Sequence, residues 1–251
     1  MWSGGPVKLD DPCHLRQCDR EKEPFMTDLL FDLPDRPSLP VAETSARFGV
    51  RRIFCVGRNY AAHAAEMGNE VDREAPWYFT KSGEHLCQTG QTVPYPPGTQ
   101  DYHHEVELVV AMGKGGFEVP IDRAEELVLG YACGLDMTRR DRQKDGKDNR
   151  RPWSLGKDVE NSAVVGAIRT GPPDAGARIA LTVNGETRQD APLSDMVWSV
   201  SEIIAHLSRY YHLNPGDLIM TGTPAGVGPV VTGDRLIGTI DGLDPVEHAL
   251  S

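Results

Sequence analysis

Apolar residues recur along this chain in short alternating runs, and glycine or proline stands at most of the breaks between them. Arg52-Ile53-Phe54-Cys55-Val56 has the composition of a strand, and Gly57 hands over to a short alanine-rich helix from Tyr60 to Met67. Trp77 to Thr80 and His104 to Met112 read as further strands, with irregular chain between them forced by Pro94, Pro96, Pro97 and Gly98. A helix over Asp122 to Val128 and a strand over Tyr131 to Asp136 follow. The Asn184-Gly185 pair within Ile179 to Glu186 signals a tight hairpin, and therefore antiparallel pairing. Ser199 and Glu202 have capping-box spacing, and Ile203, Ile204, Leu207 and Tyr211 continue at helical intervals until Asn214-Pro215-Gly216-Asp217 closes the helix. Leu218 to Thr221 leads as a strand into the glycine-rich run Gly222 to Gly228, and Arg235 to Ile240 supplies one more. Many short strands with few helices predict an α+β, β-dominated domain of mixed sheet, not a regular alternation of strand and helix. No internal repeat is visible.

Residues 1–25 lack any hydrophobic period and predict a disordered extension; Met26 offers an alternative start. Residues 26–50, with Pro34, Pro37 and Pro40, read as an extended lead-in to a folded domain over residues 51–251. That length suffices to bury a substantial core. The net charge of -11 argues against nucleic acid or an anionic membrane as partner while leaving small anions allowed. No apolar run reaches the ~18 residues of a membrane span, and the first residues lead into charged positions, so a cytoplasmic protein is expected. Cys13, Cys18, Cys55, Cys87 and Cys133 are scattered without paired short spacings and read as free thiols.

Chemistry concentrates in a few places. If His104 to Met112 is one strand, Glu105 and Glu107 share a face while Val106, Leu108 and Val110 point into a core. Two carboxylates that close either take up a proton or recruit a cation, and Asp136, about thirty residues on, would complete an all-oxygen set suited to Mg²⁺, Mn²⁺ or Ca²⁺. A solvated strand face would show the same alternation. His63 and Glu66, three apart on the short helix, suit a carboxylate-oriented imidazole, although in isolation such a pair reads first as a surface ion pair. Arg139 to Arg151 is charge-dense and reads mostly as solvated loop, except that Arg140 and Gln143 in its first turn can face one pocket and hold an anion. Lys157 on its own reads as an ordinary surface lysine. Gly222-Thr223-Pro224-Ala225-Gly226-Val227-Gly228 lacks the Gly-Lys-Ser/Thr ending of a P-loop and suits a substrate carboxylate better. No Gly-x-Ser-x-Gly elbow or Cys/His nucleophile signature appears.

Taken in order, Gly57-Arg58-Asn59-Tyr60 with His63 and Glu66, His103-His104-Glu105-Val106-Glu107-Leu108, Leu135-Asp136-Met137-Thr138, Lys157 and Thr221-Gly222-Thr223-Pro224 resemble the fumarylacetoacetate hydrolase family. The resemblance implies that family's rolled, mixed β-sheet catalytic domain over 51–251, a homodimer, and Mg²⁺ or Mn²⁺ on Glu105, Glu107 and Asp136. It also implies catalytic roles for His63, Glu66 and Lys157, with His63 and Glu66 on a lid, and substrate binding by Arg140, Gln143, Gly222 and Thr223. Lys81-Ser82 departs from the family's usual Lys-Pro, which bears on the acyl end of the pocket. The implied activity is metal-dependent hydrolysis of the carbon–carbon bond of a diketo acid, an acylpyruvate, foremost fumarylpyruvate to fumarate and pyruvate in gentisate breakdown. Oxaloacetate decarboxylation, acetylpyruvate hydrolysis and diketo-acid isomerisation share such a site. A catalytically silent metal-binding protein is the reading from a different class.

Overall fold

A computed structural model describes residues 30–66, 68 and 73–251. The extension over 1–25 and residues 69–72 lie outside the described residues. Contacts divide the chain into Met1–Asp35, of which the described part is exposed and without regular structure, and Arg36–Ser251. The second unit is β-dominated, as its punctuation predicts.

Its centre is a mixed sheet of eight strands. Along its path lie Trp77–Lys81, Arg52–Gly57, Asp217–Met220, Val106–Met112, Val128–Asp136, Ala163–Val165 and Leu86–Gln88, and Arg169–Thr170 also pairs with Val128–Asp136. Most neighbours are antiparallel, but Asp217–Met220 runs parallel to Arg52–Gly57 and Ala163–Val165 parallel to Leu86–Gln88. A five-stranded sheet, Glu186–Pro192, Arg178–Val183, Arg235–Ile240, Val246–Leu250 and Gln91–Val93, contributes to the same core. The Asn-Gly hairpin is as predicted: Asn184 and Gly185 take φ of 52° and 84° between paired Val183 and Glu186.

Alternation along the central strands divides the apolar residues between two clusters. Leu108, Val110, Phe54, Ile219 and Leu135 join the larger, with Ile179, Leu181 and the helix residues Ile203, Ile204 and Leu207. Val109, Ala111, Cys55, Met220 and Ala132 join the second, with Leu39 and Phe48. All seven residues of Val106–Met112 are therefore buried, and a solvated face is excluded. Helix Val200–Leu207 carries the expected capping box between Ser199 and Glu202. Cys55, Cys87 and Cys133 are free and buried.

Three expectations need correction. The strand expected over His104 to Met112 breaks at Glu105. Tyr102–His104 pairs instead with Thr138–Arg139 and Gly228–Val230 in a separate three-stranded sheet. The helix expected over Asp122 to Val128 is a 3-10 helix, Ile121–Leu127, because Val128 already belongs to the strand that ends at Asp136. The charge-dense segment after Arg139 is a helix, Arg140–Asp148, and not a solvated loop. It buries Gln143 and Gly146 and pairs Lys144 with Asp148 one turn on, at 2.5 Å. Its buried side packs against Ser154–Lys157, where a Cβ on Gly156 would come within 2.6 Å of the Gln143 backbone nitrogen. That close approach carries Lys157 inward.

Candidate active site

The break at Glu105 shapes the site. Asp136 N donates to Glu105 O at 2.8 Å, so Glu105 and Asp136 stand opposite each other where two strands leave the central sheet. Glu107 lies on the next rung, facing Gly134. A Cβ on Gly134 would come within 2.6 Å of Val109 Cγ2. The three side chains are buried, and one carboxylate oxygen from each lies within 4.8 Å of the others.

Cations surround them. Lys157 Nζ donates to Glu105 Oε2 at 2.8 Å, Asp136 Oδ2 at 2.7 Å and Thr138 Oγ1 at 2.8 Å. Arg140 donates to Glu105 Oε1 at 2.5 Å. Lys81 Nζ lies 2.9 Å from Asp136 Oδ1, yet its hydrogen bonds go to Met137 O, Lys157 O and Ser162 Oγ. Asp136 Oδ1 is thereby left near a positive charge but without a hydrogen bond.

These surroundings set the acids apart. Burial pushes Glu105 up, but the charges of Lys157 and Arg140 outweigh it and hold the group well below the usual carboxylate range. Burial raises Glu107 well above that range, and the charges of Asp136 and Glu105 add to the effect. Gly222 N–H, donating to Glu107 Oε2 at 2.8 Å, only partly opposes this. Burial would lower Lys157, but Asp136 and Glu105 raise it on balance. A buried all-oxygen cluster with one acid inclined to hold a proton and one oxygen lacking a donor fits a hard divalent cation.

His63 and Glu66 occupy helix Ala61–Glu66, and the next residue, Met67, is outside the described residues. His63 Nδ1 lies 3.3 Å from Glu66 Oε2. Because a carboxylate only accepts, Nδ1 carries the proton and Nε2 is left basic. Glu66 also accepts from Gly226 N at 3.1 Å, which docks the helix on the glycine-rich loop. Burial lowers the His63 pKa below its ordinary value, against the charge of Glu105 and the hydrogen bond to Glu66, so the ring is neutral at neutral pH.

The remaining residues converge on the same cleft, whose lining includes His63, Glu105, Glu107, Arg140, Gln143, Lys157 and Thr223. Arg140 donates to Gln143 Oε1 at 2.7 Å, which leaves the Gln143 amide nitrogen as a donor. Thr223 Oγ1 accepts from Gln189 Nε2 at 2.8 Å and keeps its own proton to give. Gly222 points its N–H at Glu107. Its φ of 99° and a Cβ position 2.7 Å from that of Asn59 require glycine.

Sequence reasoning missed three residues that hold this arrangement. Lys81 closes an aromatic strand, and only its departure from Lys-Pro drew attention to it. Asn59 lies inside Gly57-Arg58-Asn59-Tyr60 and ties that turn to Thr221 O and Trp198 O, at 2.7 and 3.0 Å. Gln189 accepts from Val106 N and His104 Nδ1 and donates to Thr223 Oγ1 and Pro224 O, joining the Glu105 break to the glycine-rich loop. Nothing local marks it.

Fold and site together define a β-dominated domain that opens a buried carboxylate cluster to a cation-lined cleft. The chain belongs to the fumarylacetoacetate hydrolase family: residues 52–250 match its model, described as fumarylacetoacetate (FAA) hydrolase C-terminal. A fumarylpyruvate hydrolase from Ralstonia sp. is 53% identical over 181 residues, covering 70% of this chain and 94% of that protein. The mitochondrial oxaloacetate tautomerase FAHD1 of Mus musculus is 43% identical over 196 residues, covering 77% and 88%. A crystal structure of fumarylpyruvate hydrolase from Pseudomonas aeruginosa in complex with Mn²⁺ and pyruvate aligns with a TM-score of 0.85 and 44% identity, covering 88% of this chain and 98% of that one.

Proposed function

We propose that the protein is a metal-dependent hydrolase that splits fumarylpyruvate into fumarate and pyruvate, through a catalytic domain over residues 51–251. The observation that carries this reading is the buried Glu105–Glu107–Asp136 cluster, of which Glu105 and Glu107 line one cleft with His63, the partner of Glu66. The Ralstonia and Pseudomonas relatives support it. Glu105, Glu107 and Asp136 would hold Mg²⁺ or Mn²⁺. When bound, the ion supplies a Lewis acid for the α-keto acid end of the substrate and favours the enolate that departs when the carbon–carbon bond breaks.

The side chains do the rest. Glu66 holds His63 with Nε2 free, and Nε2 takes a proton from water as the hydroxide oxygen bonds to the acyl carbonyl carbon. Gln143 and Lys157 donate toward the oxygen that becomes negative. The bond between that carbon and the methylene then breaks, its electron pair leaves with the pyruvate enolate, and His63 gives its proton to the former methylene carbon, which becomes the methyl of pyruvate. Arg140 and Thr223 grip substrate carboxylates. The family resemblance adds a homodimer in the cytoplasm, and light scattering on a sizing column tests the dimer. Among the described residues no helix is long and apolar enough to cross a membrane.

The test incubates purified protein with Mn²⁺ or Mg²⁺ and fumarylpyruvate, and follows both products. Stoichiometric fumarate and pyruvate, abolished by EDTA and by Glu107→Ala, are expected. The oxaloacetate tautomerase relatives make keto–enol interconversion of oxaloacetate the second reading. Turnover of oxaloacetate without hydrolysis of fumarylpyruvate would replace the first reading with it.

A further inference from the structure

We propose that Arg58 and Lys147, set against a wall of Phe79, Trp153 and Trp77, form a subsite for a carboxylate at the far end of the acyl chain. The cleft would then select planar acylpyruvates that end in a second acid over those that end in a methyl group. This deepens the hydrolase reading and rests on it for the reaction, but not for ligand binding.

The charges around the cleft divide into two sets. Lys157 and Arg140 are tied to the cluster end of the cleft, since both donate to its carboxylates. Arg58 and Lys147 line the same cleft, and among the described residues neither has a carboxylate partner. Each is held instead against an aromatic face: Arg58 Cζ lies 4.3 Å from the centroid of Trp77, and Lys147 Nζ 5.1 Å from that of Trp153. The two indoles stack at 6.0 Å, which brings the two cations to one side of the site. Stacking of this kind orients a cation without neutralising it.

The aromatic wall runs back to the cluster. Trp153 packs 6.2 Å from Phe79, and Phe79 lies 4.9 Å beneath Lys157 Nζ. One end of the wall therefore lies at the carboxylate cluster, whose metal ion would take the α-keto acid end, and the other at the two unpaired cations. A flat conjugated chain lies well along such a surface, and a terminal carboxylate at its end meets Arg58 and Lys147. Burial, with the charges of Arg140, Arg58 and Lys157, pulls Lys147 down to about 8, the behaviour of an ammonium lacking a counter-ion that a ligand would bring. Arg58 has a φ of 58°, a backbone region a long side chain rarely occupies. The Asn59 hydrogen bonds to Thr221 O and Trp198 O hold the turn there.

The test compares Arg58→Leu, Lys147→Met and Lys147→Arg with the natural protein, all loaded with Mn²⁺, on fumarylpyruvate and on acetylpyruvate, which lacks the distal acid. Loss of one charge-assisted contact should lower kcat/KM on fumarylpyruvate by about tenfold or more, and by at least about tenfold more than on acetylpyruvate. Lys147→Arg should recover most of that loss. Equal losses on the two substrates, or none on fumarylpyruvate, would overturn the subsite. A second measurement needs no turnover: quenching of tryptophan emission by fumarate and by its monoacid analogue crotonate. Fumarate should bind at least about tenfold more tightly than crotonate, and each charge-removing variant should erase the difference. Equal binding of the two acids, failure of fumarate to bind at millimolar concentration, or variants that keep the preference would each refute the proposal. If fumarate is preferred while fumarylpyruvate is not hydrolysed, the hydrolase reading fails and the subsite stands.

Discussion

Replacing Lys157 by methionine tests whether the carboxylate cluster of the metal-free protein is neutralised from within. The ammonium donates to Glu105, Asp136 and Thr138 at 2.7 to 2.8 Å, and the side chain is 4% exposed, so solvent screens little of the interaction. Breaking a buried ion pair by removing one partner costs about 3–5 kcal/mol. Glu105 keeps Arg140 at 2.5 Å and Asp136 keeps the charge of Lys81 at 2.9 Å, which puts the loss near the lower end, about 3 kcal/mol. For a domain of this size that lowers Tm by roughly 6–12 °C. A divalent ion on the same acids supplies the missing positive charge, so in saturating Mn²⁺ the difference between variant and natural protein should fall below half of its value in EDTA. By linkage, Mn²⁺ should bind Lys157→Met more tightly. Urea titrations of both proteins, in EDTA and in Mn²⁺, read out each quantity. An equal loss of stability under the two conditions would refute this account of the lysine.

Glu107→Gln should raise Tm of the metal-free protein at neutral pH and abolish its stabilisation by Mn²⁺. The sign follows from the raised pKa: an acid shifted upward in the folded state weakens folding above its unfolded value and does so less as pH falls, and the amide removes that effect while still accepting from Gly222. Thermal scans across pH with and without Mn²⁺ check both parts. His63 must be neutral to act as base and burial lowers its pKa, so kcat/KM should fall on the acid side with a limb below the ordinary histidine value. Glu66→Gln removes two influences that favour the charged ring, so the limb should move to still lower pH while the plateau drops. An upward move would contradict the pairing. Gln189→Leu leaves buried groups of His104, Val106 and Thr223 without partners and should destabilise the protein by about 2 kcal/mol or more, raising KM through Thr223, as denaturation and steady-state kinetics would register.

Much of the fold was legible because its signals are local. The Asn184-Gly185 turn, the Ser199–Glu202 capping box and the apolar alternation of Val106–Met112 each draw on chemistry within a few residues, and each stands where its pattern puts it. The class of site was legible for a similar reason, since two acids two positions apart in an apolar alternating run demand a proton or a cation. What escaped depends on distant partners. Arg140–Asp148 looks too charged to pack, and it forms a helix because Gly156 lets the chain come close enough to cover Gln143 and Gly146.

The break at Glu105 is the clearest case. Periodicity sees one strand from His104 to Met112, because the residues on either side alternate without a slip. The chain divides there because Gln189, more than eighty residues later, accepts from both His104 and Val106, while Tyr102–His104 turns away to pair with Gly228–Val230. The same glutamine reaches Thr223 and Pro224 with its amide nitrogen. A continuous strand would have set Glu105 one rung from Glu107 on a flat sheet. The interrupted one swings Glu105 toward Lys157 and Arg140, which hold it ionised, and leaves Glu107 among acids that raise its pKa. The unequal acids that make the cluster a cation site thus arise from a departure from regular structure, specified by a residue with no local mark.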